Sequence, residues 1–186
     1  MNIPPSTTHN TTPSHIKKSS ALPDKKHPSQ DLYVIGITGT NGKTTVAYLV
    51  GEVLKAAGHK PFILGTLNSG NINLSTPEAA DISTFMKEHI HQGGTHFVME
   101  VTSEGIDQNR IIDVEFNIKL LTNISQDHLD YHKTIERYTA TKMHFMNDEI
   151  AHIIMPTLFT DTPIDFTTQL LGAFNLLNIK AAVTIL

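Results

Sequence analysis

The chain has 186 residues, 39% of them hydrophobic, no cysteine, and a formal net charge of −4. That length suits one domain with a sizeable core. The missing cysteine excludes disulfides and Cys-type zinc sites, and the charge balance gives no global pull toward nucleic acid or an anionic membrane. No apolar run approaches the roughly 20 residues that span a bilayer, and Met1 to Asn10 lack the apolar centre of a signal peptide. The reading is a cytoplasmic protein that binds no nucleic acid and inserts in no membrane.

Residues 1–30 hold Pro4, Pro5, Pro13, Pro23 and Pro28 among polar residues. Such a stretch buries too little surface to offset its ordering entropy, so a disordered polar leader is expected there. Leu32 to Ile37 is a short apolar run rich in β-formers and reads as a buried strand. After a polar loop, Val46, Leu49, Val50, Val53, Leu54 and Ala57 recur at helical spacing, and Gly58 follows as a helix-ending glycine. Phe62 to Leu64 is the next expected strand. Thr76-Pro77-Glu78 opens a helix that runs to about His91, before Gly93-Gly94. Strands are expected at Phe97 to Val101, Ile118 to Thr122 and Ile150 to Met155. Helices are expected at Ile135 to Met146 and Phe174 to Leu186. This alternation predicts an α/β fold over 31–186, a mostly parallel sheet flanked by helices.

Gly39-Thr40-Asn41-Gly42-Lys43-Thr44-Thr45 lies between the first strand and the first helix. Glycines let backbone N–H groups close on phosphate oxygens, and a helix N-terminus adds partial positive charge. Lys43 supplies a point charge, and the Thr44 hydroxyl suits Mg²⁺. The strict G-x-x-x-x-G-K-T pattern wants glycine where this chain has Ile37. The alternative is a glycine-rich turn that merely joins strand to helix, which does not explain Lys-Thr-Thr at the opening of an apolar-faced helix.

Two further polar stretches, Glu100 to Glu104 and Asn123 to His132, fall at expected C-terminal strand ends, the edge where open α/β sheets bind ligands. Read alone, Glu100 suits a structural salt bridge or a Mg²⁺ ligand equally. His128 alone reads more simply as a hydrogen-bonded core or cap histidine, and Lys142 as a solvated helix lysine.

Together these words resemble the Mur ligases, most closely the MurE type, which adds the third amino acid to the peptide stem of bacterial cell-wall precursors. The motifs occur in order: the Gly39–Thr45 loop, Ser75-Thr76-Pro77, Met99-Glu100-Val101-Thr102-Ser103, Gln108-Asn109-Arg110, Thr122 to His132, then Tyr138 and Lys142. A weaker echo, Leu171-Gly172-Ala173-Phe174-Asn175-Leu176-Leu177-Asn178, looks like the family's G-x-[FHY]-N-x-x-N word. The resemblance implies a central ATP-binding domain. It implies that Lys43 and Thr44 hold ATP and Mg²⁺, and that Glu100, His128 and a carbamylated Lys142 serve the second cation. It also implies that Ser75, Thr76, Thr102, Gln108 and Arg110 contact the UDP-MurNAc-peptide, and that Asn175 meets the nucleotide base. The implied chemistry is phosphoryl transfer to a substrate carboxylate, then attack of an amino acid's amine on the acyl phosphate, with Lys43, His128 and Lys142 in catalytic roles.

The chain also departs from the family. Domains binding the uridine nucleotide and the incoming amino acid are not expected within it, so complementing domains on another chain are an expected partner class. No Asp-Asn-Pro-Arg word occurs, the stretch from Lys142 to Gly172 is shorter than the family's, and Glu104 stands where many members have histidine. The competing readings are a non-catalytic MgATP-binding module and a related ligase acting on a different substrate, as in folylpolyglutamate or cyanophycin synthetases.

Overall fold

A computed structural model describes residues 26–68, 74–165, 167–170 and 172–186. Five strands form one sheet: β1 (Tyr33–Thr38), β2 (Pro61–Leu64), β3 (His96–Glu100), β4 (Ile118–Leu121) and β5 (His152–Ile154). Their order is β2-β3-β1-β4-β5, and every pairing is parallel. Parallel neighbours need crossover connections, which helices supply. The longer ones are α1 (Lys43–Ala56), α2 (Ala79–His91), α5 (Ile135–Met146) and α7 (Ala173–Ile185). The shorter ones are α3 (Ser103–Asp107), α4 (Leu129–His132) and α6 (Pro156–Phe159).

The side-chain period of two divides the core between the sheet's two faces. On one face Val34, Phe97 and Met99 pack with Ile82 and Met86 of α2 and with Phe145 and Met146 of α5. On the other, Ile35, Ile37, Val98 and Leu120 meet Val46, Val50 and Leu54 of α1, Phe159 of α6 and Ala181 of α7. Central strands covered on both faces read as continuous apolar runs for this reason.

Three expectations change. The polar leader placed over 1–30 does not include its last residues: Pro28–Asp31 forms a 3₁₀ turn with Pro28 and Ser29 buried. The Ser29 hydroxyl accepts from the Glu115 N–H at 3.0 Å, which ties this turn to the chain before β4. Residues 1–25, and Leu171 of the C-terminal word, lie outside the described residues. The second helix starts at Ala79, so Pro77 precedes it. The strand expected from Ile150 begins only at His152, because the Ile150 and Ala151 N–H groups donate to Asp148 Oδ1 instead of to the sheet.

β1 lies at the centre between β3 and β4; the crossover after β1 runs toward β2 and the one after β4 toward β5, so the connections diverge between β1 and β4. The C-terminal ends of these three strands therefore border one crevice, the position where such sheets bind ligands. Ile37 of β1 lies beside Glu100 of β3, and Thr38 lies beside Leu121 of β4.

Candidate functional site

The loop after β1 is held from both sides. Gly39 has φ of 142°, and a Cβ there would sit 1.9 Å from the Thr122 hydroxyl. Gly42 has φ of 87° and begins α1 with no side-chain cap. The first N–H groups of a helix have no intrahelical partner, so they stay available to an anion. Asn123 fastens the loop: its carbonyl accepts from Thr40 N at 2.9 Å, and its amide nitrogen donates to Asn41 O at 3.0 Å. The Thr122 hydroxyl also donates to Asn41 O. Thr40 turns inward, where its hydroxyl accepts from Ser125 N and shares a 2.9 Å hydrogen bond with the Tyr138 phenol. Lys43 folds over the loop and donates to the carbonyls of Gly39 and Thr40, each at 2.9 Å.

Glu100 closes β3 and is only 2% exposed. It makes no salt bridge among the described residues; instead Oε2 accepts from the Thr44 hydroxyl at 2.9 Å and Oε1 from the Thr66 N–H at 2.9 Å. A buried carboxylate beside a hydroxyl offers hard oxygen donors, a pairing that suits a hard cation. Thr66 was not singled out by sequence, and nothing local marks it. It bridges Glu100 to Ser75, whose hydroxyl lies 2.8 Å from the Thr66 hydroxyl.

Lys142 corrects the solvated-lysine reading. It is 1% exposed, and its Nζ donates to Gly39 O at 3.1 Å and to the Thr38 hydroxyl at 3.3 Å. The Tyr138 ring lies beneath it, with 4.7 Å from Nζ to the centroid. Burial first, and then the charge of Lys43, push the Lys142 amine down to about 7, against partial opposition from Glu104 and Asp127. Lys43 is also lowered, mainly by burial, with Glu100 opposing. His128 sits at the start of α4 in the left-handed region, with Nδ1 3.0 Å from Glu104 Oε1.

The remaining expected residues form an adjoining polar cluster. The buried Thr76 hydroxyl donates to Glu100 O and accepts from Thr102 N, both at 2.9 Å, so it joins strand end to loop. The Thr102 hydroxyl caps α3 through the Gly105 N–H. Arg110 pairs with Glu78 at 3.0 Å and donates to Thr76 O, and Gln108 donates to the Tyr131 phenol.

Beside the loop lies a cavity of about 360 Å³, lined in part by Asn41, Gly42, Thr45, Phe159, Phe174 and Asn178. Asn175, expected at a base, is not in its lining; Asn178, one turn along α7, is. A Cβ on Gly42 would sit 2.2 Å from Asn178 Oδ1, so the helix and the loop touch there. Among the described residues, no three His, Asp or Glu side chains converge as a metal cage. No helix among them is long and apolar enough to cross a membrane.

The model of the Mur ligase middle domain matches residues 37–155, well over half of the chain, and takes in β2 to β5 with the last two residues of β1. The chain belongs to the Mur ligase family. Among its curated relatives, the UDP-N-acetylmuramoyl-L-alanyl-D-glutamate–2,6-diaminopimelate ligase of Nitrosomonas europaea is 42% identical over 122 residues, which is 62% of this chain and 23% of that protein. The Aquifex aeolicus protein of the same name is 44% identical over 124 residues, 62% of this chain and 25% of that one. This Mur ligase chain thus spans about a quarter of the length of those relatives. Solved structures share the fold. A structure of a ligase of that name has a TM-score of 0.70 at 24% identity, covering 83% of this chain and 42% of that chain. The MurF ligase of Thermotoga maritima, in complex with ADP, has a TM-score of 0.59 at 18% identity, covering 85% and 47%.

Proposed function

We propose that this chain is the MgATP-binding middle domain of a MurE-type ligase, acting in the cytoplasm on UDP-MurNAc-dipeptide to add the third amino acid. One observation carries the reading: the Gly39–Thr45 loop, Glu100 and Lys142 meet at the C-terminal ends of adjacent strands in a chain of this family. The uncapped start of α1 and the Lys43 ammonium receive the phosphates. The cavity beside Gly42 takes the nucleoside, with Phe174 available to stack on the base and Asn178 in place of the expected Asn175.

The residues present fit Mg²⁺. Thr44 and Glu100 are oxygen donors 2.9 Å apart, and Mg²⁺ is ordinarily held by one or two carboxylates plus phosphates and water, not by an all-protein cage. When bound, the ion neutralises phosphate charge. A second cation is assigned to Glu100, His128 and a carbamylated Lys142. The neutral Lys142 amine attacks CO₂ through its lone pair, and loss of one N–H proton leaves an anionic carbamate.

In the proposed reaction the substrate carboxylate attacks the γ-phosphorus of ATP and ADP departs. The amine of the incoming amino acid then attacks the acyl carbon, losing a proton as phosphate leaves. Lys43 offsets charge on the transferring group, and the loop fixes its position. Ser75, Thr76, Thr102, Gln108 and Arg110 border the peptide substrate. Thr76 accepts from Thr102 N and the Thr102 hydroxyl caps α3, so both also organise that wall.

Calorimetric titration with MgATP tests the reading. Binding by the wild-type chain that is lost in Lys43→Ala supports it; a folded wild-type chain that binds no MgATP overturns it. Phosphate release that depends on UDP-MurNAc-dipeptide, with any complementing domains supplied, separates a ligase from a module that only binds nucleotide.

A further inference from the structure

Glu104 has no part in the reaction above, yet it makes the most direct contact with His128. We propose that Glu104 is a positioning residue: its carboxylate accepts the Nδ1–H of His128 and so presents the Nε2 lone pair of that ring to a divalent cation. The cation half of this proposal rests on the function proposed above; the tautomer half does not.

The geometry defines both ends of the contact. Glu104 Oε1 lies 3.0 Å from His128 Nδ1. The other oxygen, Oε2, accepts from the Ser103 hydroxyl at 3.3 Å, and Ser103 is buried in the first turn of α3. On the other side, the His128 backbone is held at φ of 50°, and its N–H donates to Asp127 Oδ1 at 2.9 Å. These contacts set the backbone that carries the ring; the ring itself is 42% exposed, so its contact with Glu104 is what orients it.

A neutral imidazole carries one N–H. A carboxylate at 3.0 Å, which only accepts, draws that hydrogen to the nitrogen it faces. Nε2 has no comparable partner: its nearest acid oxygen is Asp127 Oδ2 at 3.5 Å, at the outer limit of a hydrogen bond. A carboxylate behind a ligating histidine is the usual arrangement at metal sites, where it sets the tautomer and raises the basicity of the ligand. Glu104 is thus placed behind the ligand. Its charge also reaches the site, because it opposes the lowering of both Lys43 and Lys142.

The test uses the whole 186-residue chain labelled with ¹⁵N-histidine. Its His128 resonance is assigned by comparison with His128→Gln. Spectra are taken without metal at about pH 8.5, two units above a free histidine. The expected wild-type tautomer is Nδ1–H. Glu104→Gln keeps it, because the amide oxygen still accepts, while Glu104→Ala reverts to the Nε2–H form that free imidazole prefers. Mn²⁺ titration followed by electron paramagnetic resonance, in bicarbonate buffer, gives the second readout: Glu104→Ala weakens Mn²⁺ roughly 10- to 100-fold and Glu104→Gln weakens it less. An Nε2–H tautomer in the wild-type chain overturns the proposal, and so does equal Mn²⁺ affinity in wild type and Glu104→Ala. A wild-type chain with the Nδ1–H tautomer that binds no Mn²⁺ removes the cation half, and with it the metal assignment of the proposed function. The wild-type tautomer needs no variant, so the proposal stays testable if Glu104→Ala fails to fold.

Discussion

Lys43 and Lys142 donate to the same acceptor, the Gly39 carbonyl, at 2.9 and 3.1 Å. One amine comes from the helix that the loop opens, the other from a helix about a hundred residues later in the chain. Lys43 donates to carbonyls of its own loop. An arriving triphosphate offers it a stronger, charge-assisted partner. Lys43→Ala is expected to weaken MgATP by at least about tenfold, in line with the 1.5–3 kcal/mol of a charged hydrogen bond, while circular dichroism shows the fold retained. Unchanged affinity would remove the phosphate assignment.

The second consequence concerns Lys142. An amine lowered from 10.5 to about 7 is half neutral near physiological pH, and only the neutral form attacks CO₂. In ¹³C-bicarbonate, a Lys142 carbamate signal should therefore rise as pH increases through about 7, where an ordinary lysine stays protonated. It should be absent in Lys142→Ala. In Lys43→Ala the rise should move to higher pH, because a neighbouring positive charge is gone. A signal that appears only near the value of an unperturbed lysine would contradict this account.

Gly42 holds the loop and α7 together. Alanine there must keep φ of 87° with its Cβ 2.2 Å from Asn178 Oδ1. Strain of this type costs about 1–3 kcal/mol. Gly42→Ala should show a matching loss in urea unfolding, and the cavity beside the loop should be disturbed with it. Wild-type stability in that variant would mean that α7 does not press on the loop.

Phe174 is 81% exposed yet lines that cavity. Stacking of a base on an aromatic ring is worth about 1–3 kcal/mol by alanine substitution. Phe174→Ala is expected to reduce ATP affinity by that amount in calorimetry and to leave the melting temperature nearly unchanged. The reverse pattern would make Phe174 a packing residue.

Asp148 anchors the opposite end of β4. It pairs with the buried Lys119 at 2.6 Å and accepts from the Ile150 and Ala151 N–H groups. Burial alone would raise its acid group; the hydrogen bonds and charge of Lys119 and the two backbone donors outweigh that and hold it down to about 2. A depressed carboxylate stabilises the fold above its unfolded value of 3.8, and that contribution fades as pH falls toward 2. Asp148→Asn should cost about 1–3 kcal/mol at neutral pH, and the gap to wild type should shrink between pH 4 and 2 in urea unfolding. A constant gap would mean that the loss is one of packing.

Much of this was legible locally. The Gly39–Thr45 loop and the face of α1 lie within one continuous stretch, so their geometry follows from neighbouring residues. Helix α3 was not anticipated, because five residues capped by Thr102 leave no periodic signal. The role of Thr66 was also hidden, since it depends on where β2 ends relative to Glu100. The motif containing Asn175 and Asn178 pointed to Asn175, whereas Asn178 is the one that lines the cavity. Only the rotation of α7 on α1 decides which one meets Gly42.

Sequence by itself determined the order of the strands and the longer helices, the glycine-rich loop between β1 and α1, and the family, because each rests on local periodicity or on ordered words. Tertiary structure alone decided that Lys142 is buried against Gly39, that the Thr76 hydroxyl joins Glu100 O to Thr102 N, and that Glu104 faces His128. Those contacts join residues far apart in the chain, and their energies depend on burial and on distances that only the packed sheet and helices set.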